Sequence, residues 1–270
     1  MSEAVPVFST PSPKIRRIGL DRPWSWLARG WRDLRQAPAV SLGYGLIFAL
    51  AGFAILAALW ASGVSVERGG GIFIFLPLTA GFMLVGPILA VGLYEVSRRL
   101  LAKEPVSLAV AVSAFRRNPA QIGLMGLALM LFLLFWIRLA TLIFALFFSQ
   151  NPPDPNNFVM DVFFSPEAIP FLAVGIIVGA ILAALVFAIS AISIPMLLDR
   201  EDTNVFMAIA TSFAAVRHNL AAMALWAALI VLFTGAGLVT AFLGLIVALP
   251  LIGHATWHAY QDLVESGDGE

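Results

Sequence analysis

Histidine is the side chain that ligates metals or moves protons near neutral pH. Two of the three in this chain stand four apart, in the run Pro250-Leu-Ile-Gly-His-Ala-Thr-Trp-His-Ala-Tyr260. A helix places His254 and His258 on one face. His218 and Glu95 belong near the same end of the apolar runs, so His254, His258, His218 and Glu95 form a candidate metal set for Zn, Cu or Fe. Read without chemistry, the two histidines hydrogen-bond neighbouring helices while Trp257 and Tyr260 join an interfacial aromatic belt. The sequence leaves both readings open. Glu95 with Arg98 and Arg99 has helical ion-pair spacing and reads as a solvated interfacial pair.

Arg138 stands inside a long apolar run, where an arginine at mid-bilayer costs roughly 2.5–3.5 kcal/mol. If that span starts at Ala120, Arg138 lies about 27 Å along it, near the far interface. Snorkelling and substrate binding both account for it, with Asp161 or Glu67 as ion partner. Leu139 to Phe148 then projects beyond the bilayer and needs cover from Phe158, Val159, Phe163 and Phe164. No serine-histidine-acid order, phosphate-binding glycine loop or paired catalytic carboxylate stands out. The chain has no cysteine, which excludes disulfides, thiolate metal sites and a cysteine nucleophile.

The elements that must position these residues are membrane spans. Soluble domains keep about a quarter of their residues charged, whereas this chain has 12% charged, 60% hydrophobic and a mean hydropathy of +0.93. Its formal net charge is zero, which gives no case for nucleic acid. Residues 1–20 read as a disordered basic cytoplasmic tail, 21–264 as a single membrane domain and 265–270 as an acidic tail. The first 38 residues lack an early apolar core, so the expectation is an uncleaved anchor rather than a short signal peptide.

Between Asp21 and Pro38, the residues Trp24, Trp26, Leu27, Trp31 and Leu34 alternate with Arg22, Arg29, Arg32 and Arg35. This spacing predicts an amphipathic helix lying in the headgroup region, anchored by Trp24, Trp26 and Trp31 and suited to anionic lipid. Six spans follow, at about 39–62, 72–94, 120–149, 171–198, 220–236 and 238–260. The last two come from one unbroken apolar stretch, which as a straight helix would reach about 60 Å, twice the hydrocarbon thickness. It must fold back, and Thr234, Gly235 and Gly237 are the expected turn. Pro77, Gly81, Gly86 and Pro87 should kink the second span. Of sixteen Lys and Arg residues, fourteen fall on the side of the N-terminus, which makes both termini cytoplasmic under the positive-inside rule.

The three cytoplasmic connections share a form, seen at Trp26 to Ala39, Ser107 to Ala120 and Asn204 to Leu220. Pro87 to Glu95 also aligns without gaps to Pro250 to His258. The expected fold is therefore all-α: a polytopic membrane protein of three hairpins, each preceded by a cytoplasmic interfacial helix, in a pseudo-threefold repeat.

With the Gly253-His-Ala-Thr-Trp-His-Ala-Tyr260 segment, the Trp-rich helix and six spans, the chain resembles a family of uncharacterised bacterial integral membrane proteins, domain of unknown function 2189, over nearly its whole length after residue 20. The resemblance implies a bacterial inner-membrane location. Some members carry the label of cytochrome c oxidase subunit I, which needs more histidine ligands and more spans than this sequence offers.

Two functions remain in view. A non-enzymatic role in transport or complex assembly, with no cofactor and with a membrane-protein partner or homo-oligomer, fits the kinked helices. It predicts a cavity lined by Pro77, Gly81, Pro87, Arg138, Thr234 and His254. The alternative is a metal- or haem-binding redox component using the histidines. A membrane hydrolase ranks third.

Overall fold

A computed structural model describes residues 13–61, 84–154 and 157–265. Pro77, Gly81, Glu67, the first loop, most of the second span and the ends of both tails lie outside the described residues. The described chain is helical: α1 (Arg22–Gln36), α2 (Pro38–Ala61), α3 (Val91–Ala102), α4 (Leu108–Ser113), α5 (Pro119–Phe148), α6 (Phe158–Phe163), α7 (Ala168–Ser190), α8 (Ser193–Asp199), α9 (Val205–His218), α10 (Leu220–Val239) and α11 (Leu245–Leu263). Residues 84–89 are also helical and lead into α3. Among the described residues no strand forms, and one isolated antiparallel bridge joins Ile15 to Val264.

Among the described residues four segments are long and apolar enough to cross a bilayer: Pro38–Ala58, Pro119–Phe148, Ala168–Asp199 and Leu220–Val239. Their outer faces expose Leu131, Leu134 and Leu142 on α5, Ile176, Ile177 and Ile181 on α7, and Val231 and Leu232 on α10. Such continuous exposed apolar surface is suited to lipid.

α11 is built differently. Every residue from Gly253 to Tyr260 is buried, because α1, α2, α3 and α10 surround the helix, with α1 making the most extensive contact. A helix shielded by protein can carry His, Thr, Trp and Tyr without meeting lipid. Gly30 is what lets α1 approach so closely: a Cβ there would stand 2.7 Å from the Ala255 nitrogen and 2.9 Å from the Leu251 carbonyl oxygen. The apolar side of α1 thus faces a helix, and its opposite side presents Trp24, Trp31, Arg32 and Arg35 outward.

The reversal between the last two apolar helices also differs from expectation. Thr234, Gly235 and Gly237 lie inside α10, and the chain turns at 240–244. Ala241 and Phe242 take positive φ values of 52° and 66°. That conformation costs a non-glycine residue about 1–2 kcal/mol, offset by the Phe242 ring packed edge-on against Phe53 at 5.9 Å and by the Thr240 hydroxyl, which accepts from the Gly244 N–H at 2.9 Å. α7 gives way to α8 at Ala191–Ile192, where the Ser212 hydroxyl donates to the Ala188 carbonyl at 2.8 Å and accepts from the Ile192 N–H at 3.2 Å. α6 covers the far end of α5, with Phe158 on Phe144 at 6.1 Å.

Candidate functional site

The paired histidines lie at the centre of a buried hydrogen-bond chain drawn from four helices. Asp33 of α1 accepts from His258 Nε2 at 2.8 Å and from the Ser97 hydroxyl of α3 at 2.7 Å. Ser97 Oγ stands 2.8 Å from His254 Nδ1, and Ser41 Oγ of α2 stands 2.9 Å from His254 Nε2. All five side chains are buried.

Donor arithmetic fixes the direction of the chain. An ionised Asp33 accepts only, so Ser97 spends its one hydroxyl hydrogen on it and must accept from His254 Nδ1–H. The Nε2 of a neutral His254 is then an acceptor, and Ser41 donates to it. The protons run from Ser41 through His254 and Ser97 to Asp33, which also receives His258. Each link uses one donor and one acceptor, so the burial of these groups is compensated.

Two charged clusters lie beyond this chain. Asp262 accepts from Arg22 at 2.8 Å, Arg29 at 2.6 Å and the Trp26 indole at 2.7 Å. Burial pushes its carboxyl pKa up, but the bonds from Arg29 and Trp26 outweigh that and hold it below the usual carboxylate range. Glu95 is 2% exposed and accepts from Arg98 at 2.8 and 3.0 Å and from Arg99 at 2.7 Å, with Arg117 at 4.0 Å. Here too burial raises the pKa and the Arg98 and Arg99 bonds more than reverse it. Glu95 is therefore a buried hub, not the solvated pair its spacing suggests. Tyr260 donates to Asp199 at 2.7 Å and accepts from Arg200 at 3.2 Å.

The four residues of the candidate metal set are not brought together. His218 is exposed, with Nδ1 2.7 Å from the Ala214 carbonyl, Glu95 is held by arginines, and among the described residues no group of three or more His, Asp or Glu side chains is arranged to hold a metal. Trp24 and Trp31 face outward, whereas Trp26, Trp257 and Tyr260 are buried in helix contacts. Arg138 is exposed on α5, and the Asp161 carboxylate accepts from the Asp154 N–H at 2.8 Å. The sequence reading missed Asp33, Ser41 and Ser97. Asp33 had one legible signal: it falls three residues after Gly30 and seven after Trp26, an acid on the apolar stripe of an amphipathic helix.

A cavity of about 370 Å³ opens on the other side of α11. Each bordering helix turns a stripe of mostly small or apolar residues toward it: Ala180, Ala183 and Ala184 from α7, Ala227, Val231 and Thr234 from α10, Leu249, Ile252 and Gly253 from α11, Tyr94 from α3, and Gly86 and Pro87 from the segment leading into α3. Pro87 and Thr234 of the expected transport lining are present; Arg138 and His254 do not line it.

Several long apolar helices make this an integral membrane protein of the α-helical class. Residues 74–199 match the family model described as predicted integral membrane protein (DUF2189). The match bears out the resemblance in the middle of the chain and stops short of the Gly253 to Tyr260 segment. No curated protein and no solved structure gives a match.

Proposed function

We propose that this is a non-enzymatic protein of the bacterial inner membrane that moves an apolar molecule within or across the bilayer. The observation that carries this reading is the cavity of about 370 Å³ between helices that include Pro87 and Pro250. Proline removes a backbone hydrogen bond and bends a helix, which separates neighbouring helices and leaves room among small side chains. The hydroxyls of Ser190 and Thr256 in its wall are bonded to the carbonyls of Val186 and Ile252.

The same reading takes six spans in three hairpins with both termini cytoplasmic, the span at 238–260 and the second span, of which 84–94 is described, completing the four longer apolar helices. The low apolarity of α11 is consistent with a span shielded by others. The outward Trp24, Trp31, Arg32 and Arg35 suit anionic headgroups, and a homo-oligomer or second membrane protein fits a role in assembly.

The test is transbilayer movement of an NBD-labelled long-chain alcohol in reconstituted vesicles, read by quenching with an impermeant reductant. Wild-type protein should accelerate movement several-fold over protein-free vesicles, and Ala227→Trp, which fills the cavity, should remove the acceleration. Equal rates in all three overturn the reading.

A further inference from the structure

We infer that the cavity is a slot for one acyl chain of a bilayer lipid, entered sideways between α7 and α10 near Val231. This rests on the reading of the cavity as the transport site and names its occupant.

The opening lies between α7 and α10. Val231 lines the cavity and is 56% exposed, and Ala180, Ala183, Ala184 and Ala228, which also line it, are exposed as well. The other end is blind: Trp226, Ser190 and Tyr94 line it at 0%, 1% and 2% exposure. From Trp226 to Thr234 along α10 is about 12 Å, so the space is elongated along the helix axes and suits a chain rather than a compact ring system.

Its chemistry excludes most other guests. Among the described residues no charged side chain lines it; its hydroxyls are those of Tyr94, Ser190, Thr234 and Thr256, and Ser190 and Thr256 already donate to backbone carbonyls at 2.7 and 2.8 Å. An ion or a polar solute would lose its hydration without compensation, whereas an apolar cavity of this kind stays dry and accepts an apolar guest.

Depth selects the part of the lipid that enters. Val231 lies about 16 Å along α10 from Leu220, near the middle of a hydrocarbon layer about 30 Å thick. At that depth the material beside Val231 is the ends of lipid tails, not headgroups. The slot continues from there toward the N-terminal end of α10. A tail descending from the leaflet on the side of the 240–244 turn therefore runs on into it without bending back.

Trp226 at the blind end supplies the probe. Nanodiscs are prepared with phosphatidylcholine brominated on its acyl chains, because bromine quenches indole fluorescence on contact, and the Trp226 contribution is taken as the difference between wild type and Trp226→Phe. That contribution should fall to less than half its value in unbrominated lipid, and Ala227→Leu, which fills the slot, should restore it. Unquenched Trp226 overturns the inference. Since Trp226→Phe removes a large buried side chain, native mass spectrometry of wild type and Ala227→Leu provides a second measurement. Wild type should retain one two-chain phospholipid that Ala227→Leu does not. Wild type that retains no lipid, or a free fatty acid instead, overturns the inference. Quenching without transbilayer movement of the NBD alcohol sinks the transport reading and leaves the slot standing; movement without quenching does the reverse.

Discussion

At the scale of single residues, the buried chain from Ser41 to His258 explains why two histidines tolerate a fully enclosed site. Asp33 is its terminus, accepting from both Ser97 and His258. Asp33→Ala strands both donors, and an unsatisfied buried polar group costs about 1–3 kcal/mol. The variant should therefore unfold several degrees lower than wild type in a detergent thermal melt, by about 2 kcal/mol or more. His258→Ala in the same background should cost less than it does alone, since its partner is already gone. Additive losses would show that Asp33 and His258 do not act as a pair. Spacing made the histidines visible in the sequence, but their partners come from helices remote in the chain. Ser41 and Ser97 carry no local pattern that marks them, and Glu95 looked solvated because nothing in its neighbourhood announces that Arg117 and α8 close over it.

At the scale of elements, amphipathic pattern proved reliable about which residues share a face and silent about what the face meets. The stripe of Trp26, Gly30 and Leu34 was legible in α1; that it would meet α11 rather than lipid was not, because an apolar helix and an acyl layer satisfy the same side chains. The long apolar runs ending in α5, α7 and α10 were legible from length alone. The last turn was not, since glycine inside a membrane helix serves packing as readily as it serves reversal, and here the reversal went to Ala241 and Phe242. The contact of α1 with α11 gives a sharp comparison. Gly30→Ala places a methyl within 2.9 Å of two α11 backbone atoms and should destabilise by about 1–3 kcal/mol, as overpacking does. Gly175→Ala on α7, where nothing lies within 4 Å, should be neutral or stabilise by up to about 1 kcal/mol through helix propensity. Equal melting shifts for the two variants would refute close packing at Gly30.

At the scale of the whole molecule, the proposed topology rests on where the basic residues fall. The absence of cysteine makes it directly measurable, because any introduced thiol is the sole target. Lys103→Cys and Gln150→Cys lie beyond opposite ends of α5, a helix of 30 residues or about 45 Å. An impermeant maleimide applied to intact cells should label Gln150→Cys and spare Lys103→Cys until the membrane is opened. Labelling of Lys103→Cys in intact cells would reverse the orientation, and labelling of both from one side would remove the span between them.

The docking of α1 onto α11, reinforced by the Ile15–Val264 bridge and by Arg22, Trp26 and Arg29 on Asp262, has a consequence for how the protein is made. α1 leaves the ribosome long before α11 does. At about 5–20 residues per second, α1 waits on the order of tens of seconds for the surface that covers Trp26 and satisfies Asp33. Throughout that interval the nascent chain displays an uncovered apolar stripe bearing a carboxylate. The polar and apolar sides of α1 are therefore matched only once α11 has emerged, and truncation before α11 would leave that stripe uncovered.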